Sequence, residues 1–142
     1  LWDGCISSNE NKVLNFLEET QTAHLSWSSQ GRGYFLSNEK TQQIEDKITQ
    51  DESSWRKPGE HSSGPLSCFD SNDNRERKSR VFELANKLNI DSQNIAGAWP
   101  INLSFPSFAL IGPRIISEID SSLNNLEVNL TKEQVNWLNL KT

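Results

Sequence analysis

The chain has 142 residues, enough for one domain with a core, and its net charge of -5 lacks the basic footprint of a general nucleic-acid binder. Hydrophobic residues make up 34% and charged residues 23%, and no apolar run approaches the roughly 20 residues that span a bilayer. Neither a membrane segment nor a basic-then-apolar secretion signal is read from "LWDGCISSNE". Cys5 and Cys68 stand far apart with no CxxC pair, so we expect reduced thiols, no disulfide framework, no metal site and a cytoplasmic location. The chain contains no Met and starts at Leu1, which leads us to expect a piece of a longer product.

In chain order, Val13, Phe16 and Leu17 fall on one helical face behind the polar run "SSNEN", which predicts a helix over 9–20. "AHLSW" reads as a short strand, ended by the glycine-bearing "SSQGRG". Ile44 and Ile48 suggest a short helix, and residues 51–70, rich in Ser, Pro, Gly and charge, are expected to form an exposed loop. Ser71 is placed to cap a helix whose core stripe is Val81, Leu84, Ala85 and Leu88. In "NIDSQNIAGAWPIN", Asp91 is a fitting N-cap, and Ile95, Ala98 and Trp99 share a face. Gly97 and Pro100 inside that helix cost about 1 and about 3 kcal/mol relative to Ala, so it is expected to be kinked or short. "FALI" is strand-like, and Ile119, Leu123 and Leu126 make the next helical stripe. "TKEQVNWL" carries a capping box of Thr131 and Gln134 ahead of Val135 and Leu138. The order is an α/β rhythm without internal repeats.

Two glycine corners follow the two strands, which in a parallel α/β architecture puts both at carboxyl strand ends, where ligands bind. In "IGPRIISEID", Gly112 and Pro113 turn the chain, and Arg114 offers a planar donor fork beside a helix N-terminus, a combination suited to phosphate. The plainer reading is a Gly-Pro turn with a solvated arginine. The first corner offers Ser28, Ser29, Gln30, Gly31, Arg32 and Gly33 but has neither the P-loop nor the GxGxxG pattern. Trp27 before it is either a core residue or a platform for a flat ring. His24 lies mid-strand and His61 in the polar loop, and no HExxH, GxSxG or metal-ligand spacing is present. Tyr34, the single tyrosine, lies beyond the glycine corner.

Taken together, "LSWSSQGRGYF" and "IAGAWPINLSFPSFALIGPRIISEIDSSLNNLEVNLTKEQVNWL" resemble the C-terminal part of aldo/keto reductases, with "AW", "FP", "IGPR" and the final "L-T-x-E-x-x-W-L" in family order. "SCFDSNDNRERKSRVFELA" is similar to the family's segment before and within its seventh outer helix, and "WDGCISSNENKVLNFLEE" to the stretch that feeds strand seven. The resemblance implies a (β/α)8 TIM barrel, present here as an incomplete C-terminal portion with strands seven and eight over residues 1–142. It also implies NADP as cofactor and a small-molecule carbonyl substrate, with no nucleic acid, membrane or metal as partner. By the same resemblance Trp27 stacks on nicotinamide, Ser28, Ser29, Gln30, Gly31, Arg32 and Gly33 follow the pyrophosphate, and Gly112, Pro113 and Arg114 hold the 2'-phosphate.

Glu118 and Ser122 stand where the family usually has Gln and Asn near the adenine, and a carboxylate there repels a 2'-phosphate, which opens the choice between NADP and NAD. Gly97 and Pro100 replace family leucines. No part of the chain matches the strands that carry the family's Asp, Tyr, Lys and His tetrad, so no catalytic residue is assigned. A complete barrel typically needs about 250 residues. The expectation is therefore the cofactor-binding part of a longer reductase, the alternative being a noncatalytic nucleotide- or protein-binding module derived from one.

Overall fold

The apolar runs around Leu25 and Phe108 become two short strands, β1 (His24–Ser26) and β2 (Ser107–Ala109), paired in parallel with His24 opposite Ser107 and Ser26 opposite Ala109. The computed structural model describes residues 11–50, 64–113 and 115–141. Expectations for Cys5, His61, Arg114, the first two residues of the N-terminal helix and positions 51–63 lie outside the described residues. Seven α-helices accompany the strand pair among the described residues, which are mostly helical, with the α/β character confined to this one pair.

Helix α1 (Asn11–Thr20) buries Leu14 and Leu17 against Phe105, a small apolar cluster separate from the main core. After β1 the chain makes a tight 3-10 turn at Gly31–Gly33 and enters α2 (Asn38–Gln50), longer than the Ile44 and Ile48 spacing suggested. Part of the expected 51–70 loop is helical: Pro65–Phe69 forms α3, with Pro65 and Phe69 buried. The cause is remote in sequence. Glu45 on α2 is buried and accepts the Leu66 backbone N–H at 2.8 Å and the Ser67 hydroxyl, capping α3 in place of a local side chain. Pro65 opens that helix where its missing N–H costs nothing.

Ser71 caps α4 (Asn72–Leu88) as expected, its hydroxyl accepting the Asn74 N–H at 3.2 Å. Val81, Leu84 and Ala85 are buried, but Leu88 is exposed, because Asn89 turns left-handed (φ 53°) and the Ile90 N–H folds back onto Ala85. Helix α5 (Ser92–Ile101) runs ten residues as one helix, which corrects the expectation of a kinked or short one. Pro100 falls in its last turn, where few ladder bonds are lost. Gly97 has a packing reason, since a Cβ there would overlap the Asn125 carboxamide lying across α5. Ile95, Ala98 and Trp99 enter the main core with Tyr34, Phe35, Phe69, Val81, Leu84, Val135 and Leu138.

After β2 come α6 (Ile116–Leu123), a 3-10 turn at Asn124–Glu127, and α7 (Lys132–Leu138). The expected stripe of Ile119, Leu123 and Leu126 faces solvent, and the buried positions are Ser122 and Asn125. Polar bonds set this phase: Asn94 on α5 donates to the Ser121 carbonyl at 2.7 Å and to Asn125 Oδ1 at 2.8 Å. The capping box of α7 forms as expected, with Gln134 N–H on the Thr131 hydroxyl and Thr131 N–H on Gln134 Oε1.

Candidate functional site

Because β1 and β2 run parallel and in register, their carboxyl ends share one edge, and both glycine corners rise from it. The pairing continues beyond the strands through the Leu110 N–H to the Ser26 carbonyl at 2.9 Å. Ser29 then ties one corner to the other, its hydroxyl donating to the Leu110 carbonyl at 3.1 Å. Ser29 is buried, so its role here is to hold the corners together rather than to face solvent.

The first corner is tightly wound. Ser28, Gly31, Arg32 and Gly33 all have positive φ, between 54° and 94°. Gly33 fits because a Cβ would meet Ile44 Cδ1 at 2.7 Å, in a backbone region where side chains are strained anyway. Gln30 is turned away toward the 3-10 turn, its Nε2 reaching Asn125 Oδ1 at 3.5 Å. Arg32 lies over the Trp27 ring at 4.9 Å and reaches Ser28 Oγ at 3.4 Å and Cys68 Sγ at 3.6 Å. Trp27 itself is 60% exposed at the strand end, so it is not a core residue of the described structure.

The second corner is open. A Cβ on Gly112 would meet nothing within 4 Å, and Ile111, Gly112 and Pro113 are exposed. Ile115, the N-cap of α6, offers no side-chain acceptor, so the helix's first N–H groups are not capped by a side chain there. Glu118 stands in the first turn, half-buried, and Ser122 spends its hydroxyl on the Glu118 carbonyl at 2.7 Å. Ser122 is thus bonded into its own helix.

Strand alternation places Leu25, Trp27, Phe108 and Leu110 on one side of the pair. All four are exposed, Leu25 at 62% and Phe108 at 53%, while the helices pack on the opposite side. On that covered side His24 Nδ1 meets Ser107 Oγ at 3.0 Å, and burial pulls the imidazole below its ordinary pKa. His24 is therefore a neutral structural group, in keeping with its mid-strand position. Tyr34 is fully buried and donates its hydroxyl to Asp70 Oδ1 at 3.0 Å. Burial and the Asp70 carboxylate push its phenol well above the usual tyrosine range.

Among the described residues no cluster of three His, Cys, Asp or Glu side chains is arranged to hold a metal ion, and no helix is long and apolar enough to cross a membrane. Two features escaped sequence reasoning. Asn125 links the first corner to α5, and its only signal was Gly97, the position it covers. The Tyr34–Asp70–Arg75 chain of bonds was signalled only by a lone tyrosine in a polar context.

A parallel strand pair, helices covering one side and glycine corners on a shared carboxyl edge define an α/β unit with both corners at the strand ends. The chain belongs to the aldo/keto reductase family, whose model matches residues 5–140. That family consists of oxidoreductases with a (β/α)8 barrel, which generally use NAD(P)H and act on small-molecule carbonyl compounds. No curated protein and no solved structure matches the chain significantly.

Proposed function

We propose that this chain supplies the coenzyme-holding edge, from the C-terminal part of the barrel, of an NADPH-dependent aldo/keto reductase that interconverts a carbonyl compound and its alcohol. The observation that carries the reading is the Ser29 to Leu110 bond, which makes one edge of two corners. The residues fit the coenzyme in three respects. The exposed Trp27 offers a flat face for nicotinamide, Gly112 leaves room for close backbone approach, and the uncapped start of α6 offers N–H donors to phosphate. Arg114 is assigned the 2'-phosphate, with Pro113 fixing the approach of the chain. Glu118 works against a dianion there, so the preference for NADP rests on Arg114 outweighing it.

When bound, the coenzyme supplies the hydride equivalent. The chain's own contribution is positional. Ser29 and Gln30 hold the first corner, and Arg32 lies against one face of Trp27, leaving the other for a ring. The reading assigns no proton donor to this chain: Tyr34 is buried on Asp70, and His24 is kept neutral on the covered side of the strands. Proton transfer belongs to the family's tetrad on other strands of the barrel.

The test is Arg114→Ala in the intact enzyme, with affinities for NADPH and NADH measured by tryptophan quenching. NADPH affinity is expected to fall by about tenfold or more, consistent with loss of a charge-assisted pair, and NADH affinity to change little. Equal loss for both coenzymes overturns the 2'-phosphate assignment.

A further inference from the structure

A second concavity lies apart from the coenzyme edge and shares none of its residues. It is a cleft of about 630 Å³, walled by Leu66 and Phe82, with Tyr34, Asp70, Arg75 and Lys78 supplying its polar lining. Its charges are unequally matched. Both Asp70 oxygens are taken by Arg75, Nε to Oδ1 at 3.0 Å and Nη2 to Oδ2 at 2.5 Å, and Oδ1 also accepts the Tyr34 hydroxyl. Lys78 has no such partner among the described residues. Its ammonium donates to the Thr41 hydroxyl at 3.3 Å and lies over the Tyr34 ring at 5.0 Å, both neutral groups. This half-buried ammonium has only neutral groups as direct partners and feels the Asp70 carboxylate without an ion pair to it, so it gains from an anion brought into the same cleft.

We propose that this cleft binds a small organic monoanion, a carboxylate carried on a compact apolar body, with Lys78 as its counter-ion. Two features select that class. A cation outside any ion pair among the described residues, next to the Asp70 carboxylate, favours a single negative charge over a dianion, which Asp70 would repel. The Leu66 and Phe82 walls reward an apolar body that inorganic phosphate lacks. Desolvation already draws the Lys78 ammonium below the ordinary lysine range, and a bound carboxylate would restore it.

The probe is benzoate, titrated into the isotope-labelled intact protein and followed by the amide resonances of Tyr34, Asp70 and Phe82. Saturable shifts are expected, with affinity about tenfold lower or worse in Lys78→Met and retained in Lys78→Arg. Shifts that never saturate, or equal affinity in Lys78→Met, overturn the proposal, and phosphate binding as tightly as benzoate overturns the class of ligand. Should Lys78→Met lose its native spectrum, Ser79→Glu sets a new carboxylate at an exposed position of the cleft lining. That variant is expected to weaken benzoate, and unchanged affinity counts against the site. Coenzyme affinity is expected to stay unchanged in all three variants, which separates this cleft from the reductase reading.

Discussion

The hydroxyl of Ser29 and the carbonyl of Leu110 join two corners that lie 81 residues apart in sequence. Since Ser29 is buried, removing the hydroxyl takes away the side-chain bond between the corners and leaves the Leu110 carbonyl without that donor. Ser29→Ala is expected to cost about 1 kcal/mol in denaturant unfolding and to weaken coenzyme binding several-fold through loosened corners. Unchanged values of both would show that the corners are held by the strand pairing alone.

Gly97 is expected to be intolerant of the smallest substitution. Gly97→Ala raises helix propensity by about 1 kcal/mol, yet the new methyl overlaps the Asn125 carboxamide, and overpacking of this kind costs about 1–3 kcal/mol. The clash wins, because Asn125 is held by Asn94 and cannot swing aside freely. Thermal unfolding should therefore show Gly97→Ala below wild type. The pair Gly97→Ala with Asn125→Ala should recover part of the loss, and a more stable single variant would contradict the packing described.

Asp70 gives the chain an acid limb. The hydrogen bond from Arg75 holds its carboxyl below the usual carboxylate range in the folded state. Stability from this group is thus present above the unfolded value of about 4 and is lost as pH falls through the lower folded value. Asp70→Asn is expected to lower stability at neutral pH and to flatten its decline below about pH 4. An acid limb identical to wild type would assign that decline to other carboxylates.

His24 acts in a higher pH window. Burial lowers its folded pKa, so the unfolded chain takes up a proton first as pH falls through about 6.5. Stability from the neutral ring is full above that value and declines below it. His24→Gln, which keeps a polar partner for Ser107, is expected to remove this slope below about pH 6.5. Chemical unfolding midpoints across that range measure it directly.

Helix boundaries were legible where local chemistry sets them. Ser71 and Thr131 cap as their spacing requires, and the Ile95, Ala98 and Trp99 face is buried as its periodicity demands. The strand at Leu25 and the strand at Phe108 were visible from apolar runs next to glycine corners. What was not legible depends on partners distant in sequence. Helix α3 forms because Glu45 caps it from 21 residues away, and nothing within Pro65–Phe69 announces that. The phase of α6 is set by Asn94 bonding to Ser121 and Asn125, so a stripe read from Ile119, Leu123 and Leu126 picks the wrong face. At the candidate site, Trp27 and Gly112 stood out as residue types. That Ser29 and Gln30 turn inward to hold the corner followed only from which elements meet there.

The strand pair also fixes an order of events in folding. His24 and Ser107 are separated by 83 residues, and closing a flexible loop of that length costs about 4 kcal/mol in chain entropy. Three residues on each strand return little against that cost, whereas α4 and α5 adjoin in sequence and pack with a short closure. The helical side is thus expected to assemble first and the edge carrying both corners last. A ligand spanning Trp27 and Gly112 would slow the parting of β1 from β2, and amide exchange at Leu110 would register it before any amide of α4 does.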